Sequence, residues 1–209
     1  MQRNIRSFLN QVDFEYFRLR NPCLHFDSRQ SMFEFVTRRL EPDRCITILE
    51  FGVYKGESMD MWLSLNSNTG SRFVGFDSFR GLPDRWDDDR GKGMFDTGGK
   101  PPEITDPRVT FVKGWFHEIL PAFLSSFSSN SPLVIHLDAD LYSSTFFALL
   151  SLNPHIKTGT LLVFDEFYDR DHEFRAFVDF IAFFRRKYTV LGEVGGFAKV
   201  CIELGDLEF

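Results

Sequence analysis

From Ile46 onward, short apolar runs alternate with stretches whose apolar residues recur at helical spacing. The runs 46–51, 72–77, 109–113, 133–138 and 160–165 predict buried strands. The segments 57–66, 116–127, 143–152 and 171–186 predict helices between them. Strand and helix in alternation imply parallel βαβ units and a doubly wound sheet. Two further runs, 188–193 and 197–203, are joined through Gly195-Gly196 with no helix between them. That reads as a hairpin, so one of the two strands runs antiparallel.

Residues 1–44 carry no strong strand signal. Met32, Phe33, Phe35, Val36 and Leu40 share one helical face, and Pro42 is expected to close that helix. The region 1–44 is read as a helical N-terminal cap on a domain spanning 45–209. The segment 80–106 breaks the rhythm with Gly81, Pro83, Gly91, Gly93, Gly98, Gly99, Pro101, Pro102 and four aspartates between Asp84 and Asp89. A loop this long beside the carboxyl edge of a sheet predicts a mobile lid that carries Trp86, Met94 and Phe95 toward a substrate.

The 209 residues suffice for one domain with a full core. The 26 phenylalanines are read mainly as core residues replacing Leu and Ile. A net charge of −6 argues against a nucleic-acid binder, and Arg38-Arg39 and Arg185-Arg186-Lys187 are read as solvated helix ends. Three cysteines, Cys23, Cys45 and Cys201, without Cys-x-x-Cys spacing suggest a reducing compartment. No run is long enough to span a membrane, and Met1 to Leu19 lacks a signal-peptide core, so a cytoplasmic location is expected.

Candidate chemistry concentrates where predicted strands end. Glu50-Phe51-Gly52-Val53-Tyr54-Lys55-Gly56 turns the first of these strands into a helix beginning near Ser58. Glycines there admit a close ligand, and the helix start offers free N–H groups. The spacing is not the Gly-x-Gly-x-x-Gly of a dinucleotide site, and an acid in the turn suits a cationic ligand such as S-adenosylmethionine (SAM). Asp77 ends the second strand, where a carboxylate can accept ribose hydroxyls; the alternative is a loop cap. Trp115 and Phe116, past the third strand, are candidates to stack on an adenine ring.

Two later strands deliver Asp138-Ala139-Asp140 and Asp165-Glu166 side by side. Clustered carboxylates repel, and a hard cation such as Mg²⁺, Mn²⁺ or Ca²⁺ would neutralise them. Helix capping is the competing account for Asp140, Asp169 and Asp171. His136 lies within an apolar strand, where a buried, hydrogen-bonded role is the plainer one.

The phrases Glu50 to Ser58, Asp77-Ser78-Phe79-Arg80-Gly81-Leu82-Pro83 and His136-Leu137-Asp138-Ala139-Asp140-Leu141-Tyr142-Ser143-Ser144-Thr145 resemble motifs of the macrocin O-methyltransferase (TylF-type) family of class I SAM-dependent methyltransferases. The resemblance covers about 46–204. It implies an α/β, Rossmann-like, doubly wound seven-stranded sheet with an antiparallel last strand. It implies SAM held by Glu50, Gly52, Lys55, Gly56, Ser58, Asp77 and Ser78, with Trp115 and Phe116 over the base. It implies Mg²⁺ (or Mn²⁺) at Asp138, Asp165 and Glu166, where members often carry Asp-Asp in place of Asp165-Glu166. The resemblance implies methyl transfer to a sugar-like hydroxyl of a small molecule; a metal that chelates two adjacent acceptor oxygens would favour a vicinal diol or catechol, and Asp138 or Asp140 is the expected base. A homodimer is compatible with this reading. The competing readings are an NAD-dependent oxidoreductase and a SAM-binding module without turnover.

Overall fold

The computed structural model describes residues 2–41 and 43–208, with side chains from residue 5 onward. Pro42 lies outside the described residues. In chain order the elements are α1 (Gln2–Arg20), β1 (Leu24–Phe26), α2 (Arg29–Arg39), β2 (Thr47–Phe51), α3 (Glu57–Leu65), β3 (Arg72–Asp77), β4 (Val109–Lys113), α4 (Phe116–Ser126), β5 (Leu133–Leu137), α5 (Tyr142–Leu152), β6 (Leu161–Phe164), α6 (Glu173–Phe184), β7 (Arg186–Val194) and β8 (Lys199–Leu207). They build one eight-stranded sheet in the order β1-β7-β8-β6-β5-β2-β3-β4.

Every residue of β2, β5 and β6 is buried. Apart from Thr47, Glu50 and His136 these strands are apolar, because helices cover both faces, as a parallel sheet requires. One face packs with α1, α4, α5 and α6, and the other with α2 and α3. Phenylalanine fills the first of these layers. Phe14 and Phe17 of α1 meet Phe167, Phe174 and Phe177 at ring distances of 5.1–6.5 Å. The residues before β2 therefore reach both faces of the sheet, α1 on one and α2 on the other.

β8 runs antiparallel between β6 and β7, as the glycine-pair hairpin predicts. Gly195, Gly196 and Phe197 make that turn with φ of 63°, 72° and 70°. The sheet has eight strands rather than seven because Leu24–Phe26 adds in parallel to β7. Three residues of mixed exposure leave no periodic signal. The basic run after α6 also departs from expectation. Arg186 is buried in β7, and its guanidinium donates to the Gly205 carbonyl at 3.2 Å and to Asn153 Oδ1 at 3.1 Å.

The strand order reverses at β2: the chain moves outward to β3 and β4, then returns to place β5 on the other side. Ligands in open α/β sheets bind at the carboxyl ends beside such a switch. The polypeptide leaving β2 and the polypeptide leaving β5 border it here.

Candidate active site

A cavity of about 570 Å³ opens at that switch point. Gly52, Val53, Tyr54, Asp77 and Ser78 form one side, with Trp115, Phe116 and His117 at the start of α4. Asp138, Ala139, Asp140 and Glu166 form the floor. Leu82, Trp86, Arg90 and Phe95 from the 80–106 segment close the top. The size suits one small-molecule site.

The turn after β2 is tighter than sequence suggests. Gly52 has φ 91°, and a Cβ there would sit 1.8 Å from the Asp138 carbonyl oxygen. At Gly56, φ 83°, a Cβ would meet Pro102 at 2.9 Å. Both glycines therefore make room for the protein itself. Asp77 organises the same turn. Its Oδ2 accepts the N–H groups of Val53 and Tyr54 at 2.8 and 2.9 Å, and its Oδ1 accepts that of Phe79 at 2.7 Å. Asp77 thus caps the loop while facing the cavity.

Four residues of the expected cofactor set do not line the cavity. Glu50 is fully buried, because its position in β2 points into the layer beneath α2 and α3; it accepts a hydrogen bond from Ser58. Ser58 is buried with it, Gly56 packs against Pro102 and Ile104, and Lys55 is exposed with its ammonium 5.1 Å from the Tyr54 ring. Gly52, Asp77, Ser78, Trp115 and Phe116 do come together around the cavity.

The capping account fails for Asp140 and Asp171. Leu141 is the N-cap of α5 and offers no side-chain cap; His172 Nδ1 accepts the Tyr142 N–H at 3.1 Å instead. Asp171 accepts from Asn10 at 2.6 Å, and α6 starts at His172 without a side-chain cap. Asp140 has φ 58°, a left-handed backbone that is uncommon outside glycine and recurs at functional sites. Burial, and Glu166 nearby, push its carboxyl up to about 7.

The floor and the layer beneath it are strongly acidic. Burial, and then Asp165 and Asp140, hold the Asp138 carboxyl well above its ordinary value. Burial raises Glu166 as well, partly offset by Lys199. Glu173 is missing from the sequence reading because it looks like an ordinary first-turn acid. It is fully buried and accepts the Glu166 N–H at 3.0 Å, and burial raises it far above the usual carboxylate range. Asp165 differs. Burial works against its charge, yet His136, Lys199 and Arg29 hold its carboxyl below the ordinary value. Lys199 Nζ lies 2.6 Å from Asp165 Oδ2, and Arg29 lies 3.5 Å from Oδ1. Neither cation is visible in local sequence, since β8 and α2 bring them from opposite ends of the chain.

A divalent cation fits this donor set. His136, Asp138 and Asp165 each offer an atom within 4.8 Å of the others, and the buried His136 Nε2 has no hydrogen-bond partner. Glu166, expected as a ligand, lies outside that trio and is hydrogen-bonded to Tyr168.

The lid segment is folded over the cavity. Trp86 donates its indole N–H to Asp169 Oδ2 at 2.6 Å, and its ring lies 3.3 Å beneath the Arg90 guanidinium. Leu82, Trp86 and Leu141, with Phe95, form a small apolar cluster. Met94 does not reach the cavity and is 42% exposed. Among the described residues no helix is long and apolar enough to cross a membrane.

Comparison with known proteins agrees with this architecture. Residues 49–167 match the family described as a methyltransferase domain, and the chain belongs to that family. It is similar to the 8-demethyl-8-(2,3-dimethoxy-alpha-L-rhamnosyl)-tetracenomycin-C 4'-O-methyltransferase of Streptomyces olivaceus, 31% identical over 140 residues. That match covers 57% of this chain and 52% of the relative, so the chain spans about half the relative's length. Among solved structures, the calicheamicin methyltransferase CalS11 superposes with a TM-score of 0.65 at 23% identity, over 85% of this chain and 79% of that one. A structure described as cmcI-D160 Mg-SAM gives a TM-score of 0.54 at 16% identity, over 87% and 77%. At these identities the two structures bear on the fold alone: a Rossmann-like methyltransferase sheet.

Proposed function

We propose that this protein is a SAM-dependent O-methyltransferase, of the TylF type, that methylates a hydroxyl of a sugar-like or vicinal-diol small molecule with the help of a divalent cation. The observation that carries the reading is the cavity itself. It has a turn and carboxylate suited to a nucleoside on one side, and across from them a floor of carboxylates free of any capping role. The names of the rhamnosyl methyltransferase relative and of the Mg-SAM structure support the acceptor class and the cation.

In this reading Asp77 accepts the ribose hydroxyls, and Trp115 and Phe116 flank the adenine. Trp86, Arg90 and Phe95 exclude water and hold the acceptor over the floor. Most of the rate comes from aligning acceptor oxygen, methyl carbon and sulfur. The oxygen–carbon bond forms as the carbon–sulfur bond breaks, the electron pair goes to sulfur, and the hydroxyl proton goes to Asp140. Asp138 and Asp165 would hold the cation, with Glu166 alongside. When bound, the cation lowers the pKa of the acceptor hydroxyl.

Calorimetric titration with S-adenosylhomocysteine tests the reading. A dissociation constant in the micromolar range or tighter is expected, about −8 kcal/mol. Asp77→Ala should weaken it at least about tenfold, a loss of 1.4 kcal/mol or more. Binding of NAD with none of S-adenosylhomocysteine would instead identify an oxidoreductase. Cofactor binding with no transfer to any diol-bearing acceptor would leave a SAM-binding module.

A further inference from the structure

His136 is the unexplained group at this site. It sits in β5 opposite Glu50 of β2, on the face covered by α2 and α3. The ring is fully buried, with Phe33 and Trp62 edge-on to it at 5.3 and 6.0 Å. Nδ1 accepts the Trp62 indole N–H at 3.4 Å and lies 3.4 Å from Glu50 Oε1. Nε2 points the other way, has no hydrogen-bond partner, and lies 4.0 Å from Asp165 Oδ1. A buried polar atom without a partner is costly, and one aimed between two carboxylates calls for something to share.

We propose that His136 Nε2 is a metal ligand, completing with Asp138 and Asp165 a mixed nitrogen–oxygen site beneath the cavity floor for a first-row transition ion. The proposal rests on the cation-assisted methyltransferase reading and changes its ligand set: His136 enters and Glu166 stays outside. The geometry suits the task. Two donors each about 2.1 Å from one ion lie about 3–4 Å apart. The 4.0 Å gap between Nε2 and Asp165 Oδ1 is at the upper end of that span. Lys199 holds Asp165 Oδ2 at 2.6 Å, and Oδ1, which Arg29 reaches only at 3.5 Å, is the oxygen left to face the ion. Glu50 Oε1 stands 3.4 Å behind the imidazole, as a carboxylate commonly does behind a metal-bound histidine; with an ion on Nε2 the ring proton sits on Nδ1 facing Glu50, and the Trp62 indole gives up its donation to Nδ1.

An imidazole also changes which ion is preferred. Mg²⁺ favours oxygen ligands, whereas Mn²⁺, Co²⁺ and Zn²⁺ accept nitrogen readily. The full chain, free of any histidine tag, is therefore expected to bind Mn²⁺ more tightly than Mg²⁺.

The test is pulsed electron paramagnetic resonance on the Mn²⁺-loaded full chain. Nitrogen coupling from one imidazole is expected, and its pattern should change when histidine alone is labelled with ¹⁵N. In His136→Gln the coupling should vanish, with Mn²⁺ affinity falling at least about tenfold and Mg²⁺ affinity changing far less. Glu50→Gln should weaken Mn²⁺ by roughly tenfold with the coupling retained. The wild-type spectrum decides the matter even if His136→Gln does not fold. Bound Mn²⁺ with no histidine coupling overturns the inference and leaves the cation-assisted reading standing, with oxygen ligands only. Failure to bind either Mn²⁺ or Mg²⁺, in protein that still binds S-adenosylhomocysteine, overturns both the inference and the cation in the proposed function.

Discussion

At the scale of single residues, Asp140 separates what a sequence displays from what only a fold can decide. The Asp-x-Asp phrase marks it as a candidate base or a helix cap. The choice between those depends on His172, thirty-two positions later, which takes the Tyr142 N–H and releases Asp140 from capping. The positive charges around Asp165 are hidden for the same reason, since Arg29 and Lys199 meet it only through the topology. Glu50 shows the reverse error. Its nearness to the glycine turn suggested a ligand contact, but strand alternation sends it into the core. Asp140→Asn should lower kcat by at least about 100-fold and leave S-adenosylhomocysteine affinity unchanged in a calorimetric titration. A base must be unprotonated, so turnover should rise with pH through its titration and level off above it. A cation at Asp138 and Asp165 should move the midpoint below about 7, visible as a shift in the pH profile on metal addition. A second residue-scale test concerns the thiols. Burial pushes Cys201 up to about 12 and Cys23 up to about 11, so both stay protonated at pH 8. Thiolate-specific labelling followed by mass spectrometry should modify Cys45 first.

At the scale of elements, the strands and helices from β2 to β8 were legible because their periodicities are long and regular. β1 was not, being a three-residue strand whose partner lies about 170 positions away. The 80–106 segment was legible as an interruption beside the site, and its contacts were not. Gly, Pro and Asp content suggested a loose lid, yet Trp86 is pinned to Asp169 and roofed by Arg90. Asp169→Ala removes a charge-assisted hydrogen bond, about 1.5–3 kcal/mol at that contact. Limited proteolysis should then cut within 80–106 faster than in the wild type, with S-adenosylhomocysteine giving back only part of the protection. Equal cleavage rates would mean that the small cluster of Leu82, Trp86 and Leu141 holds the lid without the indole contact.

At the scale of the whole molecule, two layers of side chains clamp one sheet, and α1 belongs to the phenylalanine-rich layer through Phe14 and Phe17. Phe14→Ala should cost about 3–5 kcal/mol, read as a lower denaturation midpoint at unchanged denaturant dependence. The outward side of the same helix exposes Ile5, Phe8, Leu9, Val12, Tyr16 and Leu19. Such a stripe favours self-association, so light scattering should report a mass that rises with concentration and falls in Phe8→Asp.

The position of β8 has a consequence for how the protein is made. It lies between β6 and β7, both of which precede it in the chain, and it brings Lys199 to Asp165. A growing polypeptide that has emerged only as far as β7 has a split sheet and an Asp165 deprived of that ammonium. The charge balance of the acidic layer beneath the pocket floor is therefore completed by the strand translated after all the others in the sheet. A nascent chain halted before residue 199 should capture no S-adenosylhomocysteine, and ligand capture on stalled ribosomes would mark the moment at which this sheet closes.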